Sequence, residues 1–280
     1  ITANDRSYNG KDDLSVTLTY LGIKYENRIE GDEVWLNTDL VQAQFADGNA
    51  GIHDVYISNL ILTGADVDVS NYTLTNTTLT VQAEITPKVI SATVAYIDSE
   101  KEYDGNTSVQ EHNCSIDDLI IKGDDVRLLD EFAYDSADAG ARQISATQWE
   151  LAGADAGNYI LQSFTPIAGT IVPRAITVTA TNTGKVYGEA DPRLEWQITG
   201  GSLVDGENLN GSLARDPGED VNRYIINAGT LTRQNNPNYA ITFVRGVFTI
   251  TAKEIAVDPD AENFHYEITS QVYDGGTHVD

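Results

Sequence analysis

Ala175-Ile176-Thr177-Val178-Thr179-Ala180-Thr181 opens a stretch, residues 175 to 253, that reads as one complete folding unit. Ile176, Val178 and Ala180 alternate with threonines; successive side chains of a strand point to opposite faces, so the run predicts a half-buried strand. Lys185-Val186-Tyr187-Gly188 breaks the alternation, and Asn238 to Phe243 and Val247 to Thr251 close the unit as two further alternating runs either side of Gly246. The same frame recurs outward in both directions. Tyr8-Asn9-Gly10, Tyr103-Asp104-Gly105, Tyr187-Gly188 and Tyr273-Asp274-Gly275 mark its start, 95, 84 and 86 residues apart. Asn71-Tyr72, Asn158-Tyr159 and Asn238-Tyr239 mark its late strand, 87 and 80 apart. Such regular spacing identifies a tandem array.

Residues 175 to 253 resemble the MBG repeat domain of bacterial surface proteins in its Tyr-Gly form. The resemblance is carried by Lys185-Val186-Tyr187-Gly188, Asp191-Pro192-Arg193-Leu194, Gly211-Ser212-Leu213 and Asn238-Tyr239. Residues 1 to 88 and 89 to 174 resemble the related YDG repeat. Here the matching residues are Tyr103-Asp104-Gly105, Gly31-Asp32-Glu33-Val34, Gly123-Asp124-Asp125-Val126, and the pair Gly64-Ala65-Asp66 and Gly153-Ala154-Asp155. The resemblance implies β-rich modules strung along secreted or wall-attached bacterial proteins, sometimes linked to mucin or glycan binding, with no enzyme activity. One departure is Asn222, where the family places glycine; asparagine tolerates a left-handed backbone, so the turn there is expected to survive.

Seventeen basic against forty-three acidic residues give a net charge of −26, which argues against nucleic acid or an anionic membrane as partner. No apolar run approaches the ~18 residues of a membrane-spanning helix. The acids are spread along the chain as a solvated surface would have them. The sharper alternative is calcium, which takes six to eight hard oxygen ligands; the pairs Asp12-Asp13, Asp117-Asp118 and Asp124-Asp125, with Asp66 and Asp68, could supply them wherever several carboxylates meet at a joint between units, Asp124 and Asp125 being the named candidates, although no loop has EF-hand spacing. Cys114 is the sole cysteine, so no internal disulfide forms, and it reads as a packed thiol. The histidines His53, His112, His265 and His278 lie at no metal-ligand spacing.

In chain order, residues 1 to 88 form a YDG-like repeat without its opening strand. Leu14, Val16 and Leu18, then Tyr56 to Leu62, Tyr72 to Leu74 and Leu79 to Ile85, are expected as its strands. Residues 89 to 174 repeat the plan with Val89 to Ile97 as opening strand, 175 to 253 form the MBG-like repeat, and 254 to 280 start a further one. Pro87-Lys88 and Pro173-Arg174 close the first two repeats without any linker, so the expected architecture is mostly β: three small modules, β-sandwich or β-grasp-like, in an elongated rod with small contacts at those two points. Ser115 to Ile121 and Asp205 to Leu213 are short helix candidates. Tyr72, Tyr159 and Tyr239 are expected as core rings with bonded hydroxyls.

The function these features point to is a structural stalk or fibre segment of an extracellular, adhesin-like bacterial surface protein. The alternative is a mucin- or glycan-binding module using Trp35, Trp149, Trp196 or exposed tyrosines. No nucleophile, base and acid recur as a set, so an enzyme is not expected. Partners are the neighbouring repeats, host glycans, and a second copy through head-to-tail strand exchange, residues 254 to 280 filling the vacancy in the first repeat.

Overall fold

The computed structural model describes residues 1–20 and 27–256; the marker Tyr273-Asp274-Gly275 lies outside the described residues. The chain divides into two compact units, Ile1–Arg174 and Ala175–Asp280. Alternation does make the strands. In Leu79–Thr86 the side chains of Ala83 and Ile85 are buried while Gln82 and Glu84 face water, and Arg174–Ala180 buries Ile176, Val178 and Ala180.

Every repeat builds the same four-stranded mixed sheet. In the first, Arg6–Ser7 runs parallel to Leu79–Thr86, which pairs antiparallel with Gly51–Ser58 and through it with Gln42–Phe45. In the second, Glu100–Glu102 is parallel to Ile167–Val172, followed by Gly140–Ala152 and Arg127–Tyr134. The third has Thr183–Val186 parallel to Gly246–Thr251, then Arg223–Asn227 and Ala214–Arg215. The outer antiparallel pairs are hairpin neighbours, whereas the parallel pair joins the start of each repeat to its end; a parallel ladder cannot be closed by a tight turn.

A smaller sheet forms around the opening strand. In the third repeat Arg174–Ala180 lies between Trp196–Gly200 and Tyr239–Val244. In the second, the expected single strand is two pieces: Lys88–Ile90 runs parallel to Tyr159–Leu161, and Thr93–Ile97 pairs antiparallel with His112–Ser115. In the first repeat Thr2–Ala3 pairs with Leu18–Thr19 and Val34–Leu36 with Leu62–Gly64, but Tyr72 to Leu74, expected as a strand, joins no ladder among the described residues.

The first two repeats share one core. Tyr8, Phe45, Ile57 and Ile85 from the first and Ile90, Ile116 and Tyr159 from the second belong to one buried cluster, so their contact is far wider than the small joint expected at Pro87-Lys88. Aromatic and β-branched side chains bridging two modules bury area that neither small module could bury alone. The helix candidates shrink: only Asp117–Leu119 turns, as a 3-10 helix, and Asp205 to Leu213 holds none, while one α-turn, Asp66–Val69, forms without a sequence signal for it. Nor is Asn222 left-handed; Asn59 is the one non-glycine at positive φ among the described residues, and Asn222 instead offers its carbonyl to the Ile250 N–H at 2.9 Å.

Candidate functional site at the joint between repeats

The late-strand tyrosine sits in the same cassette three times. The Tyr72 hydroxyl donates to Asp32 at 2.7 Å and accepts from the Ile29 N–H at 2.8 Å. Tyr159 donates to Asp124 at 2.6 Å and accepts from Ile121 N–H at 3.0 Å. Tyr239 donates to Glu207 and accepts from Val204 N–H at 3.0 Å. In every case the two partners end one β-turn, with the fourth residue's N–H bonded to the first residue's carbonyl at 3.1 to 3.2 Å. Ile29-Glu30-Gly31-Asp32, Ile121-Lys122-Gly123-Asp124 and Val204-Asp205-Gly206-Glu207 thus share an aliphatic residue, a charged residue, Gly and an acid. The third residue has φ of +101°, +103° and +83°, which a type II turn requires and glycine alone supplies without strain. The third of these turns falls within the helix candidate Asp205 to Leu213 and the residue before it.

Within the first unit this turn becomes a joint. Asp124 accepts a second hydroxyl, that of Tyr8 at 2.7 Å, and the Tyr8 and Tyr159 rings meet edge to face with centroids 5.5 Å apart. Lys11 pairs with the buried Asp155 at 2.9 Å, and Asp155 also accepts the Asp125 N–H at 2.8 Å. Buried Asn158 accepts the Ala50 N–H at 2.7 Å and donates to Asn49 at 3.0 Å. A cleft of about 480 Å³ lies beside it, between Asn9 to Asp13 and Ile121 to Asp124. Asp155 is held below the usual carboxylate range by the Asp125 N–H and then by Lys11. Burial, then the bond to Asp124, pushes the Tyr159 hydroxyl up to about 12, and the same causes raise Tyr8 further.

A raised pKa has a definite consequence for stability. Folding favours the protonated tyrosine, so the contribution is whole below the ordinary value of 10.0 and is lost as pH rises through about 12. Melting of the chain is expected to fall steeply across that window, in step with tyrosinate absorbance, and Tyr159→Phe should flatten the dependence. A loss of melting temperature above pH 10 that is the same in Tyr159→Phe as in the unaltered chain would contradict it.

The start marker is built around a buried cation two residues before its tyrosine. Lys101 donates to Asp104 at 2.7 Å, to the Asn106 side chain and carbonyl at 2.8 Å, and to the Ser108 carbonyl at 3.2 Å. Its ammonium lies 5.7 Å from the centre of the Tyr134 ring. Burial raises the Asp104 pKa, but the bonds from Lys101 and the Asn106 N–H outweigh it and leave the carboxyl below its usual range. In Tyr103-Asp104-Gly105, then, the tyrosine is buried, the aspartate holds the lysine, and the glycine turns the loop at φ +80°. The YDG domain matches residues 1–79 and 86–166, more than half of the chain. The chain belongs to the YDG domain family. The MBG domain (YGX type) matches residues 176–249, and no curated protein matches the chain.

The other repeats vary this YDG loop in chemically consistent ways. In the first YDG repeat the cation is Arg6, bonded to the Ser15 carbonyl at 3.1 Å and to Asn9, and lying 5.3 Å from the Phe45 ring centre. In the MBG repeat it is Lys185, and Arg215 stands on the edge strand where the YDG repeats have Phe45 and Tyr134. Two cations then face each other, and Asp191 bridges them, 2.7 Å from Lys185 and 2.6 Å from Arg215, with Glu219 bonded to both. Bonds from Arg215 and then Lys185 hold Asp191 down at about 2. Sequence reading missed these cations, although the signal was there: Arg6, Lys101 and Lys185 each stand two residues before the marker tyrosine.

The remaining candidates are placed as follows. Tyr8, Tyr72, Tyr103, Tyr159 and Tyr239 are fixed in cores or cassettes, whereas Tyr187 is exposed. Of the calcium candidates, Asp124 accepts the two hydroxyls of Tyr8 and Tyr159, and Asp125 accepts the Ala154 N–H at 3.1 Å. Among the described residues no three His, Cys, Asp or Glu side chains converge as metal ligands. Burial, then Asp130, pushes the Cys114 thiol up to about 11, so it is a poor nucleophile at neutral pH. Trp149 packs against Phe132 and Phe164 and donates to the Gln162 carbonyl at 2.8 Å, Trp196 is half-buried, and Trp35 is exposed.

Proposed function

We propose that the chain is a non-catalytic structural segment, a stalk or fibre of an extracellular, adhesin-like bacterial surface protein. One observation carries the reading: the side chains that recur from repeat to repeat are consumed in holding the repeats. The late tyrosines close the acidic turns, the cations close the marker loops, and Tyr8 ties one YDG repeat to the next. A recognition site would instead keep such groups open to a ligand. The net charge of −26 keeps neighbouring segments apart and soluble. A mucin- or glycan-binding role is the second reading, and what favours it is Trp35, 46% exposed, since an open indole can stack on a sugar. On a mucin and glycan array the purified chain is expected to give no saturable binding, with antibody labelling found on the outside of intact source cells. Saturable binding lost in Trp35→Ala would replace the stalk reading with the second; purely intracellular labelling would remove both.

A further inference from the structure

The marker loop of the second repeat brings an amine, an amide and an acid into contact. The buried Lys101 touches Oδ1 of Asn106 at 2.8 Å and the Asp104 carboxylate at 2.7 Å. Asp104 also accepts the Asn106 backbone N–H at 3.1 Å and a hydrogen bond from the Asn106 side chain, so one carboxylate faces both the amine and the amide nitrogen. Asn106 Oδ1 accepts, besides Lys101, the Ser108 N–H at 2.9 Å and the Ser108 hydroxyl at 2.6 Å. Donors fixed on a carbonyl oxygen draw electron density from its carbon and stabilise the oxyanion that an attack on that carbon creates.

The equivalent loops of the other repeats lack one part each. In the first repeat the cation beside the amide of Asn9 is Arg6, whose guanidinium stays protonated and offers no nucleophilic lone pair. In the third, Lys185 meets only the carboxylates of Asp191 and Glu219, and Asp191, held ionised by Arg215 and Lys185, is a poor electrophile. Lys101 alone among the three cations meets a neutral amide carbonyl with a proton acceptor already bonded to its nitrogen. Holding the two groups in contact turns an encounter into a first-order step, an advantage that reaches about 10⁵–10⁸ M in effective concentration for well-oriented groups.

We propose that Lys101 and Asn106 become joined by an amide bond between Nζ and Cγ, formed by the folded loop itself with Asp104 carrying the protons. Lys101 gives one proton to Asp104, and the freed lone pair attacks Cγ while the carbonyl electrons move onto Oδ1 under the Ser108 donors. Asp104 passes that proton to Nδ2 of Asn106 and takes a second one from Nζ. The electrons on Oδ1 then return, the Cγ–Nδ2 bond breaks with its pair on nitrogen, and the ammonia released leaves as ammonium with the proton from Asp104. Asp104 ends as the carboxylate it began as, nothing is oxidised or reduced, and no further reactant is consumed. The product ties the strand Glu100–Glu102 covalently to the loop after the Tyr-Asp-Gly marker.

The test is the intact mass of the whole folded chain, followed by peptide mapping after trypsin. The unaltered chain is expected to be lighter than its sequence by one ammonia, with the loss confined to the peptide that holds both residues and with no cleavage after Lys101, whose amine is then acylated. Lys101→Arg, which keeps a cation in the loop, and Asn106→Ala are expected to restore the full mass, a melting curve showing that each still folds. Asp104→Asn, without the proton carrier, is expected at full mass as well. An unaltered folded chain of full sequence mass overturns the inference whatever the variants do. So does an ammonia loss that persists in Lys101→Arg with normal cleavage in the unaltered chain, which is what closure of Asn106 onto its own backbone would give.

Discussion

Gly153→Ala is expected to destabilise the first unit by about 2–6 kcal/mol, a large part of the whole stability of a small domain. Gly153 has φ +121°, where an L-residue is strained by about 1–3 kcal/mol. A Cβ there would also lie 2.2 Å from the Asp125 carbonyl oxygen and 2.8 Å from its carbon. That carbonyl cannot simply retreat, because it accepts the Asp155 N–H at 3.1 Å, and Asp155 in turn anchors Lys11 across the joint. Overpacking against backbone adds about 1–3 kcal/mol. Gly123→Ala separates the two causes: its φ is +103° but nothing lies within 4 Å of the added methyl, so only the conformational cost of about 1–3 kcal/mol is expected. Urea unfolding of both variants measures the difference; equal losses would mean that the close approach to Asp125 does not matter.

The second large effect is expected from Lys101→Met. The side chain of Lys101 is only 5% exposed, and its removal strands Asp104, Asn106 and the Ser108 carbonyl around an apolar tip. Breaking a buried pair by deleting one partner costs about 3–5 kcal/mol; the Asp104 side chain is 29% exposed and recovers some hydration, so about 2–4 kcal/mol is expected. Lys101→Arg should lose much less, because the first repeat holds an arginine, Arg6, over an aromatic ring in the equivalent place. Denaturant midpoints compare the two. A methionine variant as stable as the arginine variant would show that the clamp contributes shape and not charge.

Much of the fold was legible because its signal is local. The alternation in Ile176, Val178 and Ala180 dictates which face is buried whatever lies above it, and the YDG and YGX markers repeat at a spacing that only repetition of one unit explains. Local pattern is not sufficient for every strand. Tyr72 to Leu74 has the pattern of Tyr159–Leu161, but a strand forms only when a neighbour supplies the other half of the ladder, and among the described residues that neighbour is missing.

The site was legible only in outline. The recurrence of Tyr72, Tyr159 and Tyr239 marked them as rings with bonded hydroxyls, which the cassettes contain, but nothing local says that a hydroxyl will meet an acid 35 residues earlier in the chain, as Tyr159 meets Asp124. Adjacency of Asp124 and Asp125 in sequence shows their charge and not the hydroxyls and N–H they accept. The sequence by itself determined the repeat, its period, the strands whose buried face alternates, such as Arg174–Ala180, and its acidic charge, since each follows from residue type and spacing along the backbone. Only tertiary structure decided that Tyr8 reaches 116 residues onward to Asp124, that two repeats share one core, and that the marker loop closes on a buried cation. Those depend on which surfaces exclude water together, and that is settled by packing between segments far apart in the chain.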